Sequence, residues 1–217
     1  GREDVDFVAY YNKGMREFTD NGETFNGAYG YRWRKFYEKD QLDIVVRRLK
    51  ENPDDRRCVV AMWECNNDLD RTTLDTPCNT HIYFKVRNGK LNMTVCCRSN
   101  DMIWGALGAN AVHMSYLLEY IAWKVHAEVG TYTQFTNNLH AYVDTLQKLD
   151  GMQPDYDAYA VRSIKPMPMV SDNVNERNEF DSDLDKFIRY ASWNTVNRPD
   201  LFDDLHMTYD PDMNNSY

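Results

Sequence analysis

The dipeptide Asn88-Gly89 constrains the fold more than any other feature of the sequence. Asparagine and glycine both accept the left-handed backbone that a tight two-residue turn between antiparallel strands requires. Residues His81–Val86 and Lys90–Cys97 on either side are therefore predicted to be the two strands of a hairpin. Because a short hairpin brings its outer ends together, Cys78, just before the first strand, and Arg98, just after the second, are expected to lie close in space.

This predicted pair has a chemical interpretation. A thiolate is the reactive form of cysteine, and a nearby guanidinium lowers the pKa of a thiol. Cys78 with Arg98 therefore suggests an activated nucleophile, and Asp101 could orient the arginine. The alternative is an inert buried cysteine beside a surface arginine, because such cysteines are common.

Composition limits the classes of protein to which the chain can belong. Its 217 residues, 42% of them hydrophobic, suffice for one sizeable core, and we expect a single domain. Five cysteines without a CxxC pair argue against a zinc site or a disulfide framework and fit a reducing cytoplasm. No apolar run approaches ~18 residues, so neither a membrane span nor a signal peptide is expected. The net charge of −9 argues against a general nucleic-acid binder but allows a local basic pocket for a small anion.

Periodicity predicts the remaining elements. Helices are expected at Glu3–Phe18, Leu42–Leu49 and Ala111–Ala127, the last as a central buried helix. Strands are expected at Cys58–Trp63 and from Gly130 onward, with loops at Thr19–Gly30, Asn66–Pro77 and Gly105–Asn110. The stretch Val170–Asp185 is expected to be the least ordered, and no repeat or second domain is evident.

Two further pairs each allow two interpretations. Arg56 and Arg57 could fork onto a phosphate, or they could belong to a solvated loop with the preceding aspartates. His140 and Tyr142 would share one face on a strand but not at the start of a helix. As an isolated pair, they are more often packed than functional.

Taken together, these features resemble the thymidylate synthases and their hydroxymethylase relatives. The resemblance covers about residues 20–150. It rests on six motifs in the order of that family: Ala28-Tyr29-Gly30 with Trp33, Asn52-Pro53-Asp54-Asp55-Arg56-Arg57, Pro77-Cys78, Arg98-Ser99-Asn100-Asp101 with Gly105, Asn110, and Leu139-His140-Ala141-Tyr142. Each motif is weak alone, but six in order are specific. The resemblance implies an α+β fold in which a mixed sheet packs against a long buried helix and one sheet face serves dimerisation.

The resemblance also implies a reaction. Cys78 would add to carbon 6 of a deoxypyrimidine monophosphate, dUMP or dCMP, and so turn carbon 5 into a nucleophile. Arg98 would activate the Cys78 thiolate, and Tyr29 would serve in proton removal from carbon 5. The carbon donor would be 5,10-methylenetetrahydrofolate. No metal is implied.

The substrate-binding residues follow by resemblance in the same way. Arg98 and Ser99 would bind the 5′-phosphate, and Arg56 and Arg57 would reach it from the other subunit of a homodimer.

The other side chains implied by the resemblance concern the base and the sugar. Asp101 would accept from the amide edge of the ring, and His140 and Tyr142 would bind the sugar 3′-hydroxyl. Asn110 would distinguish uracil from cytosine, and its amide favours uracil because it both donates and accepts. If Ala109 is the equivalent residue instead, the choice of base is open.

The chain departs from the synthase pattern mainly on the folate side. Asn79 stands in place of a histidine, Cys97 in place of a glutamine, and Met15 and Phe18 in place of tryptophans. The segment Gly105–Ala109 is one residue longer than its counterpart in the family.

Three family features are not found in the sequence. They are the C-terminal tail that closes over folate, the N-terminal phosphate arginine and the catalytic glutamate, so we expect the N-terminal strand and helix to be missing. A synthase must exclude water from the intermediate that carries the one-carbon unit, whereas a hydroxymethylase admits it. The departures therefore favour a phage-type hydroxymethylase, which would act in the host cytoplasm if a phage encodes it. An ordinary thymidylate synthase and a catalytically silent nucleotide-binding homologue are the alternatives.

Overall fold

The computed structural model describes residues 1–152, 168–169 and 180–197. The chain divides into two compact units. The larger consists of Gly27–Thr72 and Thr76–Asp172 together with Gly1, and the smaller of Arg2–Asn26, Thr73–Asp75 and Asn173–Tyr217.

The larger unit is built on a mixed four-stranded sheet in the order β1-β2-β3-β5. Its strands are β1 (Val59–Ala61), β2 (Asn79–Arg87), β3 (Lys90–Cys97) and β5 (Glu128–Thr136). The first three pair antiparallel, and β5 runs parallel to β3. A separate parallel pair joins β4 (Asn100–Asp101) to β6 (Leu139–His140).

The predicted hairpin is confirmed. Arg87 pairs with Lys90, and both turn residues have positive φ, 52° at Asn88 and 73° at Gly89, as a type I′ turn requires.

The larger unit also contains helices among its described residues. They are α2 (Tyr29–Tyr31), α3 (Gln41–Glu51), α4 (Cys65–Asp68), α5 (Asn110–Val125) and α6 (Val143–Lys148). A π-helical segment, Arg32–Phe36, continues α2, and a second, Met102–Ala109, leads into α5. The mixed sheet with these helices confirms the predicted α+β class.

The core of the larger unit lies between the sheet and helices α3 and α5. Helix α3 contributes Leu42, Val45 and Leu49, and α5 contributes Met114, Leu117, Leu118, Ile121 and Ala122. They pack against Val60, Ile82, Phe84, Leu91, Met93 and Val95 of the sheet. Helix α5 is buried along this face, while Val112 and Tyr116 on the rest of its surface are about half exposed.

Two predicted elements were wrong, and the predicted loop Asn66–Pro77 begins within helix α4. The predicted helix Glu3–Phe18 is interrupted at Asn12, whose backbone is extended and whose side chain accepts from the Gly14 amide. Asparagine competes in this way with helical hydrogen bonds. The predicted loop at Gly105–Asn110 is helical on either side of a kink at Gly108, whose backbone (φ −109°, ψ −118°) is not helical.

The smaller unit contains α1 (Val5–Tyr11), a 3₁₀ segment at Lys13–Phe18 and α7 (Phe180–Asn197). Val5, Ala9 and Phe25 are its buried apolar residues among those described. Of the stretch expected to be least ordered, residues 170–179 lie outside the described residues, and α7 begins at Phe180. In the described part of the chain, no helix is long and apolar enough to cross a membrane.

Candidate active site

The two ends of the hairpin meet as the sequence predicted. The Arg98 amide donates to the Cys78 carbonyl at 2.9 Å. The Arg98 guanidinium donates to the carbonyls of Pro77 (3.0 Å) and Thr76 (3.1 Å). The Cys78 sulfur lies 4.0 Å from the same Thr76 oxygen, so thiol and guanidinium share one main-chain neighbour.

The orientation of Arg98 is set by groups that the sequence analysis did not identify. Its guanidinium lies over the Trp63 ring, 5.4 Å from the ring centroid. Asp101, predicted as a candidate for this role, instead accepts from the Trp104 amide at 2.5 Å. Main-chain carbonyls and an aromatic ring therefore hold the guanidinium at the open end of the hairpin, where its two strands meet the rest of the chain.

Tyr29 lies directly against the cysteine segment. Its hydroxyl oxygen accepts from the amides of Cys78 (3.2 Å) and Asn79 (3.1 Å), and its ring stacks on Trp33 at 6.2 Å. Burial, and next the proximity of Cys78, raise the pKa of the Tyr29 hydroxyl well above its ordinary value. The side chain is therefore a neutral phenol at neutral pH, with its own proton available to donate.

Asn110 is drawn into the same site by two other asparagines. Asn79 Nδ2 donates to Asn110 Oδ1 at 3.2 Å, and Asn110 Nδ2 donates to Asn100 Oδ1 at 2.9 Å. Ala109 is exposed. At Gly105, any Cβ atom would overlap the Asn100 side-chain oxygen, so glycine permits this close approach.

The pairing of β4 with β6 sets Asp101 beside His140. Asp101 Oδ2 and His140 Nδ1 are buried, and neither has a hydrogen-bond partner among the described residues. Buried polar atoms without partners are rare and call for a ligand or a water. The His140 ring contacts the exposed Tyr142 ring edge to face, with centroids 5.3 Å apart, so the structure brings this predicted pair together.

Arg56 and Arg57 lie elsewhere. Both arginines are exposed and lie just before β1. Val59, at the start of β1, pairs with Tyr83, which is well along β2 from Cys78. The rise per residue of a strand therefore places the arginines roughly 20 Å from Cys78. Arg57 forms an ion pair with Asp55 at 3.1 Å, and Arg56 lines a cavity of about 310 Å³ together with Lys85 and other residues.

Two remaining features complete the description of the site. Ser99, the other predicted phosphate residue, is half-buried between β3 and β4, next to Arg98. The exposed apolar side chains Trp104 and Leu107 stand on the π-helix that Asp101 begins, and the sequence analysis did not single them out. Within the described ranges, no group of three or more His, Cys, Asp or Glu could hold a metal ion.

Comparison with known proteins gives matches over most of the chain. A family model described as thymidylate synthase matches residues 5–188. A deoxyuridylate hydroxymethyltransferase of Pseudomonas phage M6 is 45% identical over 191 residues, which cover 82% of this chain and 54% of that protein. A protein of the same name from Bacillus phage SP01 is 37% identical over 205 residues, 83% of this chain and 53% of that protein.

Two further similarities are to proteins named as synthases. A putative thymidylate synthase of Methanosarcina barkeri is 37% identical over 124 residues, 57% of this chain and 56% of that protein. The structure of thermostable thymidylate synthase A from Bacillus subtilis matches with a TM-score of 0.51 and 29% identity, over 61% of this chain and 49% of that one. The chain spans about half the length of the curated relatives it matches.

Proposed function

The chain belongs to the thymidylate synthase family, and on that premise we propose that it transfers a one-carbon unit to carbon 5 of dUMP and releases the hydroxymethyl nucleotide. The observation that carries the proposal is the position of Cys78 at the open end of the hairpin, in contact with Tyr29 and next to Arg98. The names of the two phage relatives support both uracil as the base and hydroxymethylation as the outcome.

Cys78 is the proposed nucleophile. Its thiolate adds to carbon 6 of the pyrimidine, and the electron pair of the 5,6 double bond moves toward carbon 5 and O4, so that carbon 5 becomes nucleophilic. The adjacent Arg98 guanidinium favours the anionic sulfur electrostatically. Asn110 can donate its remaining N–H to O4, where negative charge develops.

Tyr29 is proposed to assist proton removal from carbon 5. Two amides already donate to its oxygen, and its raised pKa keeps the hydroxyl protonated, so it does not act as a phenolate. Its role is to orient a water that accepts the carbon 5 proton, with the phenol O–H completing the hydrogen-bond path.

The remaining groups are proposed to hold the substrates. Arg98 and Ser99 bind the 5′-phosphate, and His140 with Tyr142 binds the 3′-hydroxyl of the sugar. The unfilled acceptor at Asp101 Oδ2 suits a ring N–H of one of the two substrates.

Arg56 and Arg57 are proposed to act on the active site of a second subunit in a homodimer. They lie too far from Cys78 to reach its substrate within one chain. The sheet face opposite the core exposes the apolar side chains Val59, Tyr83 and Phe135, and Val59 begins the strand that the arginines precede. A second copy packed on this face would bury the surface and bring the arginines across.

Trp104 and Leu107 fit the second substrate. They are 68% and 75% exposed and adjoin the polar site at Asp101, an arrangement typical of a pocket for a planar ligand. We propose that 5,10-methylenetetrahydrofolate, which supplies the one-carbon unit, binds against them. In the hydroxymethyl outcome, water adds to the transferred carbon, and the Cys78 thiolate leaves carbon 6. In the overall reaction, dUMP, 5,10-methylenetetrahydrofolate and water give hydroxymethyl-dUMP and tetrahydrofolate.

The test is turnover by the intact protein with 5,10-methylenetetrahydrofolate and either dUMP or dCMP. Tetrahydrofolate together with a hydroxymethyl nucleotide, identified by mass, is the expected result. Dihydrofolate with a methyl nucleotide would identify the protein as a thymidylate synthase. The absence of any product with either base would identify it as a catalytically silent nucleotide-binding homologue. Cys78→Ser should abolish turnover, whereas Cys65→Ser, at an exposed cysteine in α4, should not change it.

A further inference from the structure

The two residues that flank the nucleophile pair, Asn79 and Cys97, are where the sequence departs from the synthase pattern, and the structure joins them. They are register partners across β2 and β3, and both are buried. The Cys97 thiol donates to Asn79 Oδ1. Gln134 Nε2 donates to the Cys97 sulfur at 3.3 Å, so the sulfur already accepts a hydrogen bond and its S–H faces the Asn79 oxygen.

The hydrogen bonds continue from Asn79 and return to Cys97. Asn79 Nδ2 donates to Asn110 Oδ1, Asn110 Nδ2 to Asn100 Oδ1, and Asn100 Nδ2 to Thr136 Oγ1 at 3.3 Å. Thr136 is the partner of Cys97 on β5, and its hydroxyl hydrogen-bonds to the thiol. We call this circuit the amide ring, formed by Cys97, Asn79, Asn110, Asn100 and Thr136.

Each amide in the ring has one donor end and one acceptor end, so its members cannot turn singly. Turning Asn110 alone would set its N–H groups against Asn79 Nδ2 and its oxygen against Asn100 Oδ1. Both contacts would then be mismatched in a buried setting, where an unsatisfied polar group is costly. Burial raises the pKa of the Cys97 thiol, which keeps it a donor at neutral pH.

We propose that Asn79 and Cys97 are positioning residues that lock the Asn110 amide in one orientation and thereby make the site select uracil over cytosine. The inference rests on the proposed function. Uracil offers an N3–H donor and an O4 acceptor, which match the Asn110 oxygen and its remaining N–H as the ring holds them. Cytosine offers the reverse arrangement of donor and acceptor, so the Asn110 amide would have to turn by half a rotation to match it.

The test is the ratio of dissociation constants for dCMP and dUMP, measured by calorimetry on the intact protein. The parent protein should favour dUMP. Cys97→Ala removes the thiol donor, so the ratio should fall about tenfold, the equivalent of one net hydrogen bond. Cys97→Ser keeps a donor and should retain most of the preference. The matched control is Cys96→Ala on the other face of β3, which should leave the ratio unchanged.

A second variant decides the question if Cys97→Ala does not fold. Asn79→Asp cannot donate to Asn110 Oδ1 but accepts readily from Asn110 Nδ2, so it favours the turned amide and should shift the ratio toward dCMP by tenfold or so. If Cys97→Ala folds, an unchanged ratio in that variant overturns the inference while leaving the proposed function intact. If it does not fold, an unchanged ratio in Asn79→Asp has the same consequence. A parent protein that neither binds nor converts dUMP overturns the proposed function, and the inference with it.

Discussion

Replacing Asp68 with alanine should destabilise the larger unit more than any exposed ion-pair substitution. The Asp68 carboxylate and the Arg32 guanidinium are both fully buried and form two hydrogen bonds, at 2.6 and 2.8 Å. Arg32 also donates to the Met62 carbonyl at 2.5 Å and lies over the Phe36 ring at 4.6 Å. Removal of the carboxylate takes the ion-pair partner at 2.6 Å away from a buried cation.

The magnitude follows from this burial. Breaking a buried pair by removing one partner costs about 3–5 kcal/mol, because the remaining charge is desolvated and uncompensated. An exposed pair contributes only about 0–1 kcal/mol. Asp54 with Arg87 is such a pair, at 2.9 Å with side chains 84% and 51% exposed, and it provides the matched control. We therefore expect Asp68→Ala to lower the free energy of unfolding by about 3–5 kcal/mol and Asp54→Ala by less than about 1 kcal/mol.

Urea unfolding followed by tryptophan fluorescence measures the difference, because Trp33 and Trp63 directly follow Arg32 and Met62 in the chain. Equal losses in the two variants would refute the reasoning. The double variant Arg32→Met with Asp68→Leu should recover most of the loss, since apolar residues of similar size remove both desolvated charges.

Three further predictions concern the candidate site and its surroundings. Gly105→Ala should weaken dUMP binding in calorimetry and cost about 1–3 kcal/mol of stability, because the new methyl overlaps the Asn100 side chain. Burial raises the pKa of Tyr132 to about 12, so the folded state should lose stability as the pH rises from ~10 toward that value, and Tyr132→Phe should weaken this loss in alkaline unfolding experiments. A mixture of Arg57→Ala and Cys78→Ser, each inactive alone, should recover about a quarter of the parent activity if subunits exchange in a homodimer.

Each of these predictions has an outcome that contradicts it. Unchanged dUMP affinity in Gly105→Ala would mean that the asparagine contacts do not shape the site. An alkaline transition of the same size in Tyr132→Phe would assign it to other groups. Two inactive variants that stay inactive after subunit exchange would show that the arginine does not act across a dimer.

The sequence by itself determined the features that depend on local order along the chain. The Asn88-Gly89 turn fixes the hairpin, and the hairpin alone brings Cys78 and Arg98 together, because the loop between the strands is two residues long. The helix at Gln41–Glu51 followed from its periodicity in the same way. Six motifs in order sufficed to predict the family.

Only the tertiary structure decided how distant residues complete the site. Tyr29 reaches the Cys78 amide across 49 positions, and the Cys97 thiol meets Asn79 across 18. From the sequence, Asn79 and Cys97 were two separate departures from a pattern; in the structure they are one hydrogen-bonded pair. Such contacts depend on strand register and on the direction of each hydrogen bond. Both are set by the packing of the whole sheet, so the local pattern around either residue does not reveal them.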